Sequence, residues 1–194
     1  MFYYAGNSAT SWDIGNLSNW DTSQVTGMSS MFSFAGENAT SWNIGSLSSW
    51  NTSKVTNMSN MFLSTGKSAT SWSIGDLSSW DTSAVTKISS MFAWAGKDSS
   101  IFNSIGTFSI PSGCNATTLI FYSGEGTSKF TGNFMINGNI TNYTNMLRDT
   151  ATDPNARINL YYTNSESEAI VDELISLYGP SGTVSQGNIY KVES

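Results

Sequence analysis

The sequence predicts a repeat solenoid that ends in a strand–helix–strand cap. Three observations predict it. A 30-residue unit recurs without insertion at residues 1–30, 31–60 and 61–90. Its apolar residues keep fixed columns while the residues between them vary. Charged residues make up only 11% of the chain and aromatics 13%, so Ser, Thr and Asn must form the surface over aromatic and aliphatic layers.

The shared unit reads MFxxAGxxATSWxIGxLSxWDTSxVTxMSx. Its apolar columns include Phe2/Phe32/Phe62, Trp12/Trp42/Trp72, Ile14/Ile44/Ile74, Leu17/Leu47/Leu77, Trp20/Trp50/Trp80, Val25/Val55/Val85 and Met28/Met58/Ile88. A unit this short cannot bury its own apolar face, whereas stacked neighbours bury it jointly. Parallel strands would stack the coils about 4.8 Å apart and turn each column into a ladder of like residues.

Within a unit, Val25–Met28 alternates apolar and polar, which predicts a short strand. Ser29–Phe34 reads as one helical or 3-10 turn with Met31 and Phe32 tucked inward, ended by Ala35-Gly36. Ser11–Leu17 is a second candidate strand, with Gly15 at a bend. Asp-Thr-Ser after Trp20 has Asx-turn chemistry.

The solenoid is expected over 1–154, with degenerate repeats at 91–122 and 123–154, giving four to five coils. In the first of these, Ile105-Gly106 keeps the pattern with one extra residue, and Pro111 replaces the second Trp. ITNYTNML at 140–147 resembles VTGMSSMF at 25–32. The cap occupies 155–194. ARINLYYT (156–163) alternates as a strand, and Ser165 with Glu168 forms a capping box for a helix at 166–178. Ile170, Leu174 and Leu177/Tyr178 make the helix's apolar face, Gly179-Pro180 stops it, and NIYKV (188–192) returns as a strand. The chain opens in mid-unit at Met1-Phe2. That start predicts either a fragment of a longer protein or a first coil that pairs with another chain.

Composition narrows the function. There is no His, so Ser-His-Asp triads, Cys-His pairs and His-ligated metals are excluded. Eight Lys and Arg against a net charge of −6 argue against nucleic acid and anionic membranes. No apolar run is long enough to span a membrane. Cys114 is a lone, core-type cysteine with no disulfide partner in the chain. No catalytic residue, cofactor or metal is expected.

SNWDTSQVTGMSSMF (18–32), SSWNTSKVTNMSNMF (48–62) and SSWDTSAVTKISSMF (78–92) closely resemble BspA-like leucine-rich-repeat surface proteins of bacteria. The resemblance is strong over 1–100 and weaker over 101–150. It implies a leucine-rich-repeat-like solenoid that is exported and displayed on the cell surface or secreted, and it implies adhesion to host or environmental ligands. The unit here is longer than the usual one of about 20–25 residues.

The expected function is therefore a non-catalytic extracellular binding or adhesion module with a protein or glycan partner. The alternatives are a self-assembling fibre, stalk or sheath subunit that associates through its N-terminal edge, and a phage or virion receptor-binding protein. The candidate ligand face carries Gln24, Lys54 and Ala84 with Gly27, Asn57 and Lys87, which project between core residues. Trp20, Trp50 and Trp80 belong either to that face, stacking on sugar rings, or to the core. Asp21/Asn51/Asp81 fits Asx-turn capping or Ca²⁺. The Thr10/Thr40/Thr70, Ser11/Ser41/Ser71 and Thr22/Thr52/Thr82 rows fit turn-satisfying ladders or a water-ordering, ice-binding array. Asn-x-Ser/Thr at Asn16, Asn38, Asn51, Asn57, Asn115, Asn139 and Asn142 would accept glycans in a eukaryotic secretory context, although repetition alone accounts for the motif.

Overall fold

The computed structural model describes residues 1–121 and 129–193. The chain winds as a parallel β-solenoid of about six turns. Strands β1 (Ser11–Asp13), β2 (Ser41–Asn43), β3 (Ser71–Trp72) and β4 (Ile101–Phe102) mark one point of the first four coils. β1 pairs with β2 and β3 with β4, both parallel, so that Trp12 faces Trp42 and Trp72 faces Phe102. The alternation of the strand sends each Trp inward and its Ser and Asx neighbours outward. At Val25–Met28 the expected strand reduces to one bridging residue per coil, a parallel line through Gly27, Asn57, Lys87, Asn115 and Asn142.

Later coils shorten and carry a wider sheet. Cross-coil partners lie 30 residues apart at Thr26–Thr56, 28 at Ser90–Thr118 and 26 at Asn133–Asn159. Strands β5 (Thr107–Ile110), β6 (Gly132–Ile136), β7 (Ile158–Tyr162) and β8 (Ile189–Lys191) form one four-stranded parallel sheet in chain order. The strand–helix–strand segment thus continues the winding: the expected boundary at 154/155 falls between two paired strands of that sheet. The expected junction between repeats at 122/123 lies outside the described residues.

The core is a set of aromatic columns. Phe2, Phe32, Phe62 and Phe92 stack at 5.5–5.7 Å between ring centroids. Trp12, Trp42 and Trp72 stack at 6.0 and 5.8 Å, and Phe102 continues them at 4.7 Å. Trp20, Trp50 and Trp80 stack at 6.2 and 6.4 Å. Centroid distances above the coil rise reflect offset rings, the favoured arrangement for aromatic pairs. Among the described residues the third column of stacked rings ends at Trp80, and Phe108 packs its ring on Phe92 at 5.8 Å and Phe134 at 6.3 Å. The Thr82 hydroxyl donates to the Ser109 carbonyl as that of Thr52 donates to Asp81, which sets Phe108 level with Trp80.

The expected helical or 3-10 turn is a run of overlapping β-turns. Met31, Ser33, Ala35, Glu37 and Ala39 donate their amides three residues back, to Met28, Ser30, Phe32, Phe34 and Gly36. The alternate amides leave the coil: Ser30, Phe32 and Phe34 donate to Ser59, Met61 and Leu63, and Gly36 donates to Ala5. A helix would spend every amide on itself. Here half of them lock one coil to another.

Helix α1 (Ser165–Tyr178) packs on β7 and β8 and buries Ile170, Val171, Leu174 and Tyr178. Its capping box lies one residue before the expected pair. The N-cap is Asn164, whose Oδ1 accepts from the Ser167 amide, while Ser167 Oγ accepts from the Asn164 amide. Glu168 is drawn away instead, because Lys191 donates to it at 2.8 Å and to Asp172 at 2.7 Å. Among the described residues, no helix is long and apolar enough to cross a membrane.

One column of glycines is dictated by the Trp stack. Gly66 has φ +47°, and a Cβ there would lie 2.8 Å from Cγ of Trp42. Gly15 has φ +75° with open space around it. Gly66→Ala should therefore cost about 2–4 kcal/mol, strain plus overpacking, and Gly15→Ala only about 1–2 kcal/mol. Urea denaturation of the two variants checks this, and equal losses would contradict the close packing of glycine on indole.

Candidate binding face

The strand-lined face is built on the line of bridging residues. Parallel pairing fixes Gly27, Asn57, Lys87, Asn115 and Asn142 side by side. Backbone bonds from Thr56 to Thr26 and from Thr86 to Thr56, each doubled by the Thr hydroxyl at 3.2 Å, hold the neighbouring residues in step. Gln24 and Lys54 project from adjacent coils and meet, the Lys54 ammonium donating to Gln24 Oε1 at 2.8 Å. Ala84 is half-buried and Lys87 exposed. Asn57 is half-buried and uses its Oδ1 to accept from the Ser59 amide.

The second Trp column divides. Trp50 and Trp80 are only 2% and 4% exposed, and their indole N–H groups donate to the Leu17 and Leu47 carbonyls at 2.9 Å. Both are core residues and present no ring to a ligand. Trp20, 37% exposed, stacks on Trp50 and lies 6.0 Å from Phe2 between ring centroids. Of the candidate residues, Gln24, Lys54, Gly27, Asn57 and Lys87 come together on one face, and Trp50 and Trp80 do not join them.

Asn115 and Asn142 extend this face beyond the residues picked out from the sequence. Each accepts from the amide two residues on, at Thr117 and Thr144, as Asn57 does from Ser59. The recurring signal is Asn-x-Ser/Thr at that point of three coils, at Asn57, Asn115 and Asn142. A shallow hollow of about 400 Å³ adjoins the corner where the coil shortens, lined by Trp80, Asp81, Ser83, Ser109, Ser112 and Asn137. Asn137 sits there with its amide donating to Ser109 Oγ at 2.6 Å.

The other polar rows are occupied by turn and ladder bonds. Asp21, Asn51 and Asp81 accept from the amides of Ser23, Ser53 and Ser83 in Asx turns. Among the described residues, no group of three His, Cys, Asp or Glu could hold a metal ion. Thr40, Thr70 and Ser100 donate their hydroxyls to the Thr10, Thr40 and Thr70 carbonyls. Thr22, Thr52 and Thr82 are buried and donate the other way, to Asn51, Asp81 and Ser109. Cys114 is fully buried, and burial pushes its thiol up to about 12, so the thiolate that nucleophilic chemistry needs does not form near neutral pH.

Hydrogen bonds from Ser23, Ser78 and Ser83 hold the carboxyls of Asp21, Asp76 and Asp81 below the ordinary range. A lowered folded-state pKa contributes stability above the unfolded value of about 4, and that contribution disappears as pH falls through the lowered value. The melting temperature should therefore drop below about pH 4. Asp76→Asn/Asp81→Asn should flatten this acid limb, since Asn51 makes the same turn without a charge. A thermal melt series from pH 7 to 2 tests it, and an unchanged acid limb in the double variant would place the acid sensitivity elsewhere.

Comparison with curated proteins and with solved structures finds no match. Residues 1–129, more than half of the chain, match the family model described as "Mycoplasma protein of unknown function, DUF285", and the chain belongs to that family.

Proposed function

We propose that the chain is a non-catalytic extracellular binding module, an adhesion segment of a surface protein, whose strand-lined face takes a protein or glycan partner. The observation that carries this proposal is the contrast between backbone and side chain along the bridging line. The backbone repeats coil after coil, while the outward residues change: Gln24, Lys54 and Ala84 in one row, Gly27, Asn57 and Lys87 in the next. A core requirement would keep these positions alike, as it keeps Phe32 and Phe62 alike. Solenoids present extended faces of this kind to partners. The BspA-like resemblance of residues 18–32, 48–62 and 78–92 supports a leucine-rich-repeat type of surface protein, and with it a cell-surface location. A phage or virion receptor-binding protein is the same function in another setting.

A second proposal, a self-assembling fibre, stalk or sheath subunit, draws on the first coil, where Met1, Tyr3, Tyr4 and Trp20 are exposed together. The two proposals part on solution behaviour. Adhesion predicts a monomer by light scattering across concentration and a hit on a glycan or matrix-protein array. That binding should fall about tenfold or more when Lys54 and Lys87 are both changed to Glu. A ligand-free polymer that grows with concentration would favour assembly and displace the adhesion proposal.

A further inference from the structure

We propose that Phe34, Ser64 and Trp94, flanked by Lys67 and Lys97, form a binding site for an acidic saccharide, a sugar bearing a carboxylate or sulfate group. The site lies apart from the bridging line, beyond the run of β-turns, and stands whether or not that face binds anything.

The first support is a backbone conformation that side chains dislike. Tyr4, Phe34, Ser64 and Trp94 occupy the same point of four successive coils, and all are left-handed, with φ between +54° and +63°. Glycine or asparagine suits such a position, and a bulky ring there is an outlier. A second left-handed column of non-glycine residues has small polar ones, Ser30, Asn60 and Ser90, and two further left-handed columns are glycine. Three aromatics thus stand in a place that small residues serve better. They are not wholly buried: Tyr4 is 45% exposed, and Phe34 and Trp94 are half-buried. Tyr4 and Phe34 stack face to face at 4.5 Å. Ser64, short and buried, leaves a step in the ridge between Phe34 and Trp94.

The second support is charge. The Lys67 and Lys97 ammonium groups lie 5.1 and 5.2 Å from the centre of the Trp94 ring. They are two of only eight cations in a chain of net charge −6. Among the described residues, neither is in an ion pair. Glu37 precedes Lys67 in the same column, and among the described residues no ion pair joins the two. Asp98 donates its backbone amide to the Lys67 carbonyl and forms no ion pair with either lysine. The result is a flat ring with two ammonium groups beside it that no carboxylate among the described residues pairs with. A sugar lays its C–H face on such a ring, and an acidic substituent replaces the ring as partner of the two cations. Exposed cation–π contacts are weak enough to be exchanged in this way.

Calorimetric titration of the full chain with an oligogalacturonate, a sulfated oligosaccharide and a neutral xylo-oligosaccharide tests the site. The acidic ligands should bind, more weakly as salt rises, and the neutral one should not. The two acidic ligands separate carboxylate from sulfate recognition. Lys67→Gln/Lys97→Gln should weaken binding about tenfold or more. Trp94→Gly should do the same while keeping or raising the melting temperature, because glycine accepts the left-handed backbone. Failure of both acidic ligands to bind, equal binding of the neutral sugar, or full affinity in either variant would overturn the proposal. So would poly-glutamate binding that is as tight as the sugars and indifferent to Trp94→Gly, which would mark an acidic-protein site. Sugar binding that survives both variants but is lost on changing Lys54 and Lys87 would sink this site and leave the strand-lined face standing.

Discussion

Every other feature of the fold depends on backbone hydrogen bonds that run from coil to coil in register. Amides at Thr40, Thr56, Thr70 and Thr86 each reach the same carbonyl position one unit back. Once that ladder is set, a residue can only lie on its own counterpart in the next coil. Side chains must therefore stack well on copies of themselves, and this restricts what each column can hold. Flat rings and unbranched Met satisfy the condition. Like charges in one column do not, since repulsion repeats at every coil. Asp21 and Asp81 accordingly have Asn51 between them, and Lys67 and Lys97, which follow one another in one column, both lie against the Trp94 ring.

A surface with few charges follows from the same ladder. Short coils turn sharply and leave many amides pointing into corners with no strand partner. Asp, Asn and Ser side chains fill that need, accepting from the amide two residues on at Gly15, Ser18, Ser23, Gly45 and Ser53, among others. Thr hydroxyls then double the cross-coil bonds. The Ser, Thr and Asn content is thus structural chemistry, and at Asn16, Asn51, Asn57, Asn115 and Asn142 the Asn-x-Ser/Thr motif is its by-product: the Asn makes the turn and the hydroxyl residue supplies the bonded amide, whereas Thr40 and Thr141 give their amides to Thr10 and Cys114.

The columns were legible in the sequence because a constant period and a parallel ladder say the same thing. Phe32 on Phe62 and Trp42 on Trp72 needed no more than counting by thirty. The turn run was not legible. Met28, Met31, Phe32 and Ala35 have the spacing of an inward helical stripe, and overlapping β-turns produce the same stripe. The difference lies in where alternate amides point, and composition does not encode that. The register at Phe108 was not legible for a related reason: the one-residue insertion near Ile105 is followed by a loss of three before Ser109, a net shortening of two that the Thr82 bond reveals. On the candidate face, the variable rows were readable as outward positions. The burial of Trp50 and Trp80 was not, because a Trp beside a turn looks the same in sequence whether its N–H meets water or the Leu17 carbonyl.

That burial also decides what kind of recognition the strand-lined face can support. With both rings enclosed, the face offers amide, hydroxyl and ammonium groups, many of them already spent on neighbouring coils. A partner there must bind through several modest polar contacts spread over successive coils, and affinity would grow with the number of coils engaged. A repeat architecture suits this, since each added coil extends the row without altering the core. The aromatic ridge at Phe34 and Trp94 works differently. It concentrates apolar area and charge at one point and accepts backbone strain to do so, which is how a local site differs from a distributed face. The two surfaces make separate demands on sequence. Variation along the bridging line leaves the fold intact, whereas the ridge asks for a particular ring in a conformation that rings avoid.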